Sequence, residues 1–181
     1  TMMISKDIVH YDIKGTNILF DTNKEIPLLI DFGLSVEMNT INVTNLKEMF
    51  YVYAPEYYIW SLEIHYICYL VNKNKDPTSD ELKEIAKNYV QGNKAIQRNF
   101  SPSFLKKYET KCYEQLEKYN KITYNERVEK LLSYWKTFDN YSLSIMYLKF
   151  LHYININGFI DNQFIIFFSK LLLRNIDPNP D

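Results

Sequence analysis

The sequence predicts an α+β fold, predominantly helical, with one small β-hairpin near the N terminus, and three observations carry that prediction. Two short apolar runs, Ile18-Leu19-Phe20 and Pro27-Leu28-Leu29-Ile30, flank the polar stretch Asp21-Thr22-Asn23-Lys24-Glu25, which is the pattern of two strands joined by a turn. Two Thr-x-x-Glu boxes, Thr78 to Glu81 and Thr123 to Glu126, precede apolar-rich segments, and such boxes satisfy the free N–H groups at a helix start. Leu143, Ile145, Met146, Tyr147, Leu148, Phe150, Leu151, Tyr153 and Ile154 are apolar nearly all round, which predicts a helix buried on every side.

In chain order, the hairpin comes first. A hairpin returns to where it began, so Asn17, just before the first strand, and Asp31, just after the second, belong at one end. Helices follow at Leu62 to Val71, at Leu82 to Val90 behind the first capping box, from Ser101-Pro102, and from Thr123 to about Phe138. After the all-apolar helix, Gly158 breaks the chain and Asp161 caps a last helix carrying Phe164, Ile165, Phe168, Leu171 and Leu172 on one stripe. A chain of 181 residues is long enough for one domain with its own core.

Composition excludes several function classes. A net charge of −1 and a pI near 6.3, with lysines scattered among glutamates, argue against a nucleic-acid footprint. Cys68 and Cys112 form no CxxC pair or evenly spaced framework, so a reduced, cytoplasmic setting is expected. No run reaches the roughly 18 apolar residues of a membrane span, and no signal-peptide pattern opens the chain, so no membrane partner is expected. His65 and His152 have no partner at metal-ligand spacing and read as core or surface residues.

Three motifs carry chemistry: His10-Tyr11-Asp12-Ile13-Lys14-Gly15-Thr16-Asn17, then Asp31-Phe32-Gly33, then Ala54-Pro55-Glu56. Together they resemble the H-R-D-x-x-x-x-N, D-F-G and A-P-E segments of protein kinases, with Tyr11 in place of the arginine. Lys14, two positions after the aspartate, is similar to the serine/threonine type.

The resemblance implies the C-terminal lobe of such a kinase, covering residues 1–181 and incomplete at both ends, that transfers the terminal phosphate of ATP to a hydroxyl of a protein substrate. It implies Asp12 as the group that accepts the substrate hydroxyl's proton, with Lys14 beside the transferred phosphate as both a catalytic and an ATP-binding residue. Asn17 and Asp31 are the implied ligands of Mg²⁺ and its nucleotide, because that hard cation takes oxygen donors. His10, Phe32, Gly33, Glu56 and Asp139 are implied as structural supports: Gly33 lets the backbone turn with unusual dihedrals, Glu56 forms a buried ion pair with an arginine expected after Asp177-Pro178-Asn179-Pro180, which resembles a D-P-x-x-R turn cut before its arginine, and Asp139 caps the central helix and hydrogen-bonds the loop of Asp12.

A nucleotide-gripping lobe is expected upstream and is required for activity. Nothing before His10 supplies a glycine-rich loop, and no two of Gly15, Gly33, Gly92 and Gly158 make a G-x-G. Residues 34–53 match an activation segment with Ser35, Thr40 and Thr44 as candidate phosphorylation sites. Tyr11 has no charge to receive a phosphate there, and Met49 stands where the resemblance would place a threonine against Asp12 and Lys14.

Glu56 and Asp139 are 83 positions apart (139 − 56), which implies a helical insertion over residues 57–138 beyond the usual kinase lobe. Such an insertion resembles those in kinases of large nucleocytoplasmic DNA viruses, placing the protein in host cytoplasm or virion. The insertion reads as padding rather than a docking surface, since Tyr108, Tyr113, Tyr119 and Tyr124 keep no single helical stripe. Two other readings compete. A pseudokinase scaffold would use the insertion to bind partners, yet Asp12, Asn17 and Asp31 are all kept. A small-molecule kinase of the aminoglycoside-phosphotransferase type shares the first motif, but Lys14, Phe32-Gly33 and Ala54-Pro55-Glu56 argue against it.

Overall fold

The computed structural model describes residues 2–156 and 163–181. The chain is α+β and mostly helical, with two small antiparallel sheets. Strand β1 (Ile8–Val9) pairs with β4 (Val36–Glu37), while β2 (Ile18–Asp21) pairs with β3 (Ile26–Leu29) in the register Ile18↔Leu29 to Asp21↔Ile26. The second pair is the expected hairpin. Its turn is stabilised by Asp21, whose carboxylate accepts the Asn23 and Lys24 N–H groups at 3.0 and 3.1 Å, an Asx arrangement.

A one-turn helix α1 (Leu46–Met49) leads to α2 (Leu62–Lys73), α3 (Ser79–Gly92), α4 (Lys94–Asn99), α5 (Pro102–Asn120), α6 (Tyr124–Ser133), α7 (Trp135–Ile156) and α8 (Gln163–Asn175). Both Thr-x-x-Glu boxes form as read, at the starts of α3 and α6, with each threonine and glutamate bonding the other's backbone N–H. Ser101 accepts the Phe104 N–H ahead of α5, and Pro102 takes its first position, where its missing N–H costs nothing. Asn93 starts α4 the same way and also donates to the Tyr141 hydroxyl at 3.0 Å, so one buried side chain caps a helix and ties it to α7.

The helix buried on every side is α2, in which every residue from Leu62 to Val71 is buried. Helix α7, expected to be that helix, instead exposes Tyr147, Phe150 and Tyr153 along one face, while Ile145 and Leu148 enter the core. The segment from Thr123 does not run on to Phe138: α6 ends at Ser133 and α7 begins at Trp135. Residues 57–138 supply much of the central core, with α2 packed against α3 and α6, and α3 against α5. The expected helix break at Gly158 and cap at Asp161 lie outside the described residues. No described helix is long and apolar enough to cross a membrane.

Candidate active site

The loop after β1 is held from beneath by one carboxylate. Asp139 accepts the His10 N–H at 2.8 Å and the Tyr11 N–H at 3.1 Å, and Trp60 donates its indole N–H to the Tyr11 carbonyl at 2.9 Å. These bonds fix Tyr11 at φ 68°, a left-handed backbone that a bulky residue adopts only under constraint. The expected contact of Asp139 with this loop is present, but its expected capping role is not. It lies in the second turn of α7, not at the helix start, so its side chain is free to reach across to the loop.

Asp139→Ala leaves two N–H groups without their acceptor. A loss of about 2–3 kcal/mol is expected, at roughly 1 kcal/mol or more for each stranded donor, measurable as a lower urea midpoint at unchanged m-value. An unchanged midpoint would show that the loop holds itself.

Asp12 is buried, and three side chains converge on its carboxylate. Oδ2 accepts from the Lys14 ammonium and from the Asn17 amide, each at 2.8 Å, and Oδ1 accepts from the Tyr57 hydroxyl. Burial pushes the Asp12 carboxyl up, but hydrogen bonds from Lys14 and Tyr57, the Lys14 charge and the Asn17 amide together outweigh it and hold the group below its ordinary value. Lys14 is raised in turn, chiefly by its bond to Asp12. The pair therefore stays charged across the neutral range.

Asn17 ends a single 3₁₀ turn and opens β2. Its Nδ2 donates both to Asp12 Oδ2 and to the Asp12 carbonyl, the latter at 3.0 Å. With the amide nitrogen spent inward, Oδ1 is the face left for an external electrophile, and it accepts a long bond from the Thr16 hydroxyl at 3.5 Å. The Asn17 carbonyl accepts the Ile30 N–H at 3.0 Å, extending the hairpin pairing by one step, so Asp31 follows at the same end of the ribbon as the sequence reading required. Asp31 is exposed and takes φ 62°.

The unusual backbone dihedral falls at Asp31 and not, as expected, at Gly33. A Cβ at position 33 would sit 3.2 Å from Asp31 Oδ1, which also accepts the Gly33 N–H at 3.3 Å, so a side chain there would need that exposed carboxylate to shift by a few tenths of an ångström. His10 supports the arrangement as expected: its ring bonds the Ile30 carbonyl at 3.1 Å and meets the Phe32 ring at 4.8 Å.

Glu56 is exposed and enters no ion pair among the described residues. Of the activation-segment hydroxyls, Ser35 is half-buried and donates to the His10 carbonyl at 3.3 Å, whereas Thr40 and Thr44 are exposed. Tyr57 and Trp60 are site residues that the sequence reading missed. With 16 tyrosines in the chain, only adjacency to Ala54-Pro55-Glu56 could have marked Tyr57.

A divalent ion at this end of the hairpin would rest on an amide oxygen and one carboxylate. No group of three or more His, Cys, Asp or Glu side chains is placed for a metal among the described residues. So sparse a protein donor set suits Mg²⁺, which keeps waters and takes further oxygens from phosphate. A cavity of about 600 Å³ lies elsewhere, between α5 and the C-terminal segment at Lys111, Lys118, Arg174 and Asp177, and contains none of these residues.

No protein-family model, curated protein or solved structure matches this chain. The functional argument therefore rests on the side chains.

Proposed function

We propose that this chain is the C-terminal lobe of a serine/threonine protein kinase, transferring the terminal phosphate of ATP to a protein hydroxyl. The observation that carries the reading is the buried Asp12 carboxylate clamped by Lys14 and Asn17 on a loop that Asp139 holds from below. An ionised carboxylate fixed in this way accepts the proton of an incoming hydroxyl. Lys14, its side chain 40% exposed, reaches outward to neutralise charge on phosphoryl oxygens. Asn17 Oδ1 and the Asp31 carboxylate are the groups that would hold Mg²⁺, and the bound ion would supply charge neutralisation on the nucleotide's phosphates.

The reading also accounts for an apolar surface at the hairpin. Leu19, Phe20, Leu28, Phe32 and Leu34 are all 41–62% exposed, with Leu19 and Leu28 paired across the strands, and exposed large apolar side chains gathered on one short segment suit a covered surface. An upstream nucleotide-gripping lobe is its proposed cover. On this reading, the 181-residue chain alone binds ATP weakly and turns over little.

The test uses the chain expressed together with whatever its reading frame encodes upstream, supplied with Mg²⁺, radiolabelled ATP and a generic protein substrate. Labelled phosphoserine or phosphothreonine is the expected product, and Asp31→Asn is expected to lower the rate by at least about 10²-fold. Nucleotide binding without transfer would favour the scaffold reading instead.

A further inference from the structure

We propose that Tyr57 is a positioning residue for Asp12: its phenol hydroxyl, seated on Trp60, bridges the Asp12 carboxylate and the Lys14 ammonium and fixes the plane in which that carboxylate is presented. The link to rate rests on the kinase reading above, whereas the contact itself does not.

The argument begins with an asymmetry. Lys14 and Asn17 both donate to Oδ2 of Asp12, which anchors one oxygen and leaves the other to swing, because the terminal torsion of an aspartate is broad. The Tyr57 hydroxyl supplies the missing constraint by donating to Oδ1 and accepting from Lys14 Nζ at 3.4 Å. One lone pair of Oδ1 remains for an incoming hydroxyl, so the phenol orients the carboxylate without consuming its capacity as a base.

Tyr57 is itself held. Its ring meets the edge of Trp60 at 4.8 Å, and Trp60 is tied by its indole N–H to the Tyr11 carbonyl, one residue before Asp12. Its backbone N–H donates to the Ala54 carbonyl at 2.9 Å. The phenol and the loop thus share a frame, so the distance between hydroxyl and carboxylate is set by packing. Met49, where the resemblance places a threonine, carries no hydroxyl, and Tyr57 supplies one from eight positions later (57 − 49).

The titratable groups facing Asp12 are Lys14 and Tyr57, together with His10, whose Nδ1 accepts the Asp12 N–H at 3.4 Å. Burial, and after it the bond to Asp12, push the Tyr57 phenol up to about 12, so it remains a donor throughout the working pH range. Its donation stabilises the ionised carboxylate.

The experiment compares wild type with Tyr57→Phe, which keeps the ring on Trp60. In the 181-residue chain, the Asp12 carboxyl carbon resonance is followed by NMR at one neutral pH, with the urea midpoint as a folding control. The expected result is a shifted Asp12 resonance with folding intact. In the upstream-extended protein kcat should fall about tenfold with KM for ATP within about twofold, as expected for a misaligned rather than unbound reactant.

An unmoved Asp12 resonance in folded Tyr57→Phe overturns the proposal, as does a wild-type rate in an otherwise active protein. A moved resonance in a protein that transfers no phosphate upholds the contact and overturns the kinase reading instead.

Discussion

On the proposed kinase reading, Asp12→Asn in the upstream-extended protein is expected to lower phosphoryl transfer by at least about 10²-fold, the range for a positioned base that loses its proton affinity. The substitution is nearly isosteric, so Tyr57, Lys14 and Asn17 still surround the side chain, and the loop stays strapped to Asp139. What disappears is a charge. The amide cannot take a proton from a hydroxyl, and it leaves the Lys14 ammonium without the carboxylate that raises its pKa. Retained transfer in both Asp12→Asn and Asp31→Asn would remove the assigned roles together.

The same carboxylate fixes a pH dependence. The Asp12 carboxyl is held below its ordinary value of 3.8, so the folded chain binds that proton less readily than the unfolded one. Its contribution to stability is fully present above the unfolded value and disappears as pH falls through the folded value. Asp12 should therefore stay ionised at every pH of a usual assay. The acid limb of wild-type activity should lie below about pH 4, the ordinary carboxyl range.

The parts of this fold that were legible in the sequence are those whose cause is local. The hairpin follows from two apolar runs and one Asx turn at Asp21, and the starts of α3, α5 and α6 follow from caps three residues long. Nothing local announces the pairing of Ile8–Val9 with Val36–Glu37, in which two residues on each side are brought together from 27 positions apart (36 − 9). Helix α4 is six residues long and starts at Asn93, a residue equally suited to a turn. The break between α6 and α7 falls at Tyr134, with no proline or glycine to mark it.

Burial was harder still to read. The apolar run of α7 predicted the helix buried on every side, whereas α2 fills that place although it carries Glu63 and His65, both buried. Burial pushes the Glu63 carboxyl up and the His65 imidazole down to about 4, so the charge that polarity seemed to promise is disfavoured there. For the candidate site, the motifs gave Asp12, Lys14, Asn17, Asp31 and the strap from Asp139. They could not give Tyr57 or Trp60, because an aromatic residue in a chain so rich in them announces its hydrogen bond only through the fold.

The largest stability loss is expected at Arg127, far from the hairpin. This arginine is 2% exposed, and its guanidinium donates to the carbonyls of Tyr119 at 3.0 Å, Asn120 at 3.4 Å and Ile122 at 2.9 Å, and to Asp76 at 2.7 Å. Two of those carbonyls belong to the last turn of α5, where intrahelical donors have run out and a cation is favoured. Arg127→Ala strands three carbonyl acceptors and removes a buried side chain beside α2, and a loss of about 3–5 kcal/mol is expected from those unsatisfied groups and the lost packing together. Arg127→Lys should recover only part, since one ammonium cannot reproduce a planar fork reaching four acceptors.

The Asp76 contact can be separated from the rest. Its carboxylate side chain is 67% exposed, so Asp76→Ala should cost under about 1 kcal/mol. Urea denaturation of the three variants tests this ordering. A loss in Asp76→Ala as large as in Arg127→Ala would mean that the ion pair, and not the capture of helix-end carbonyls, holds α5 to α6.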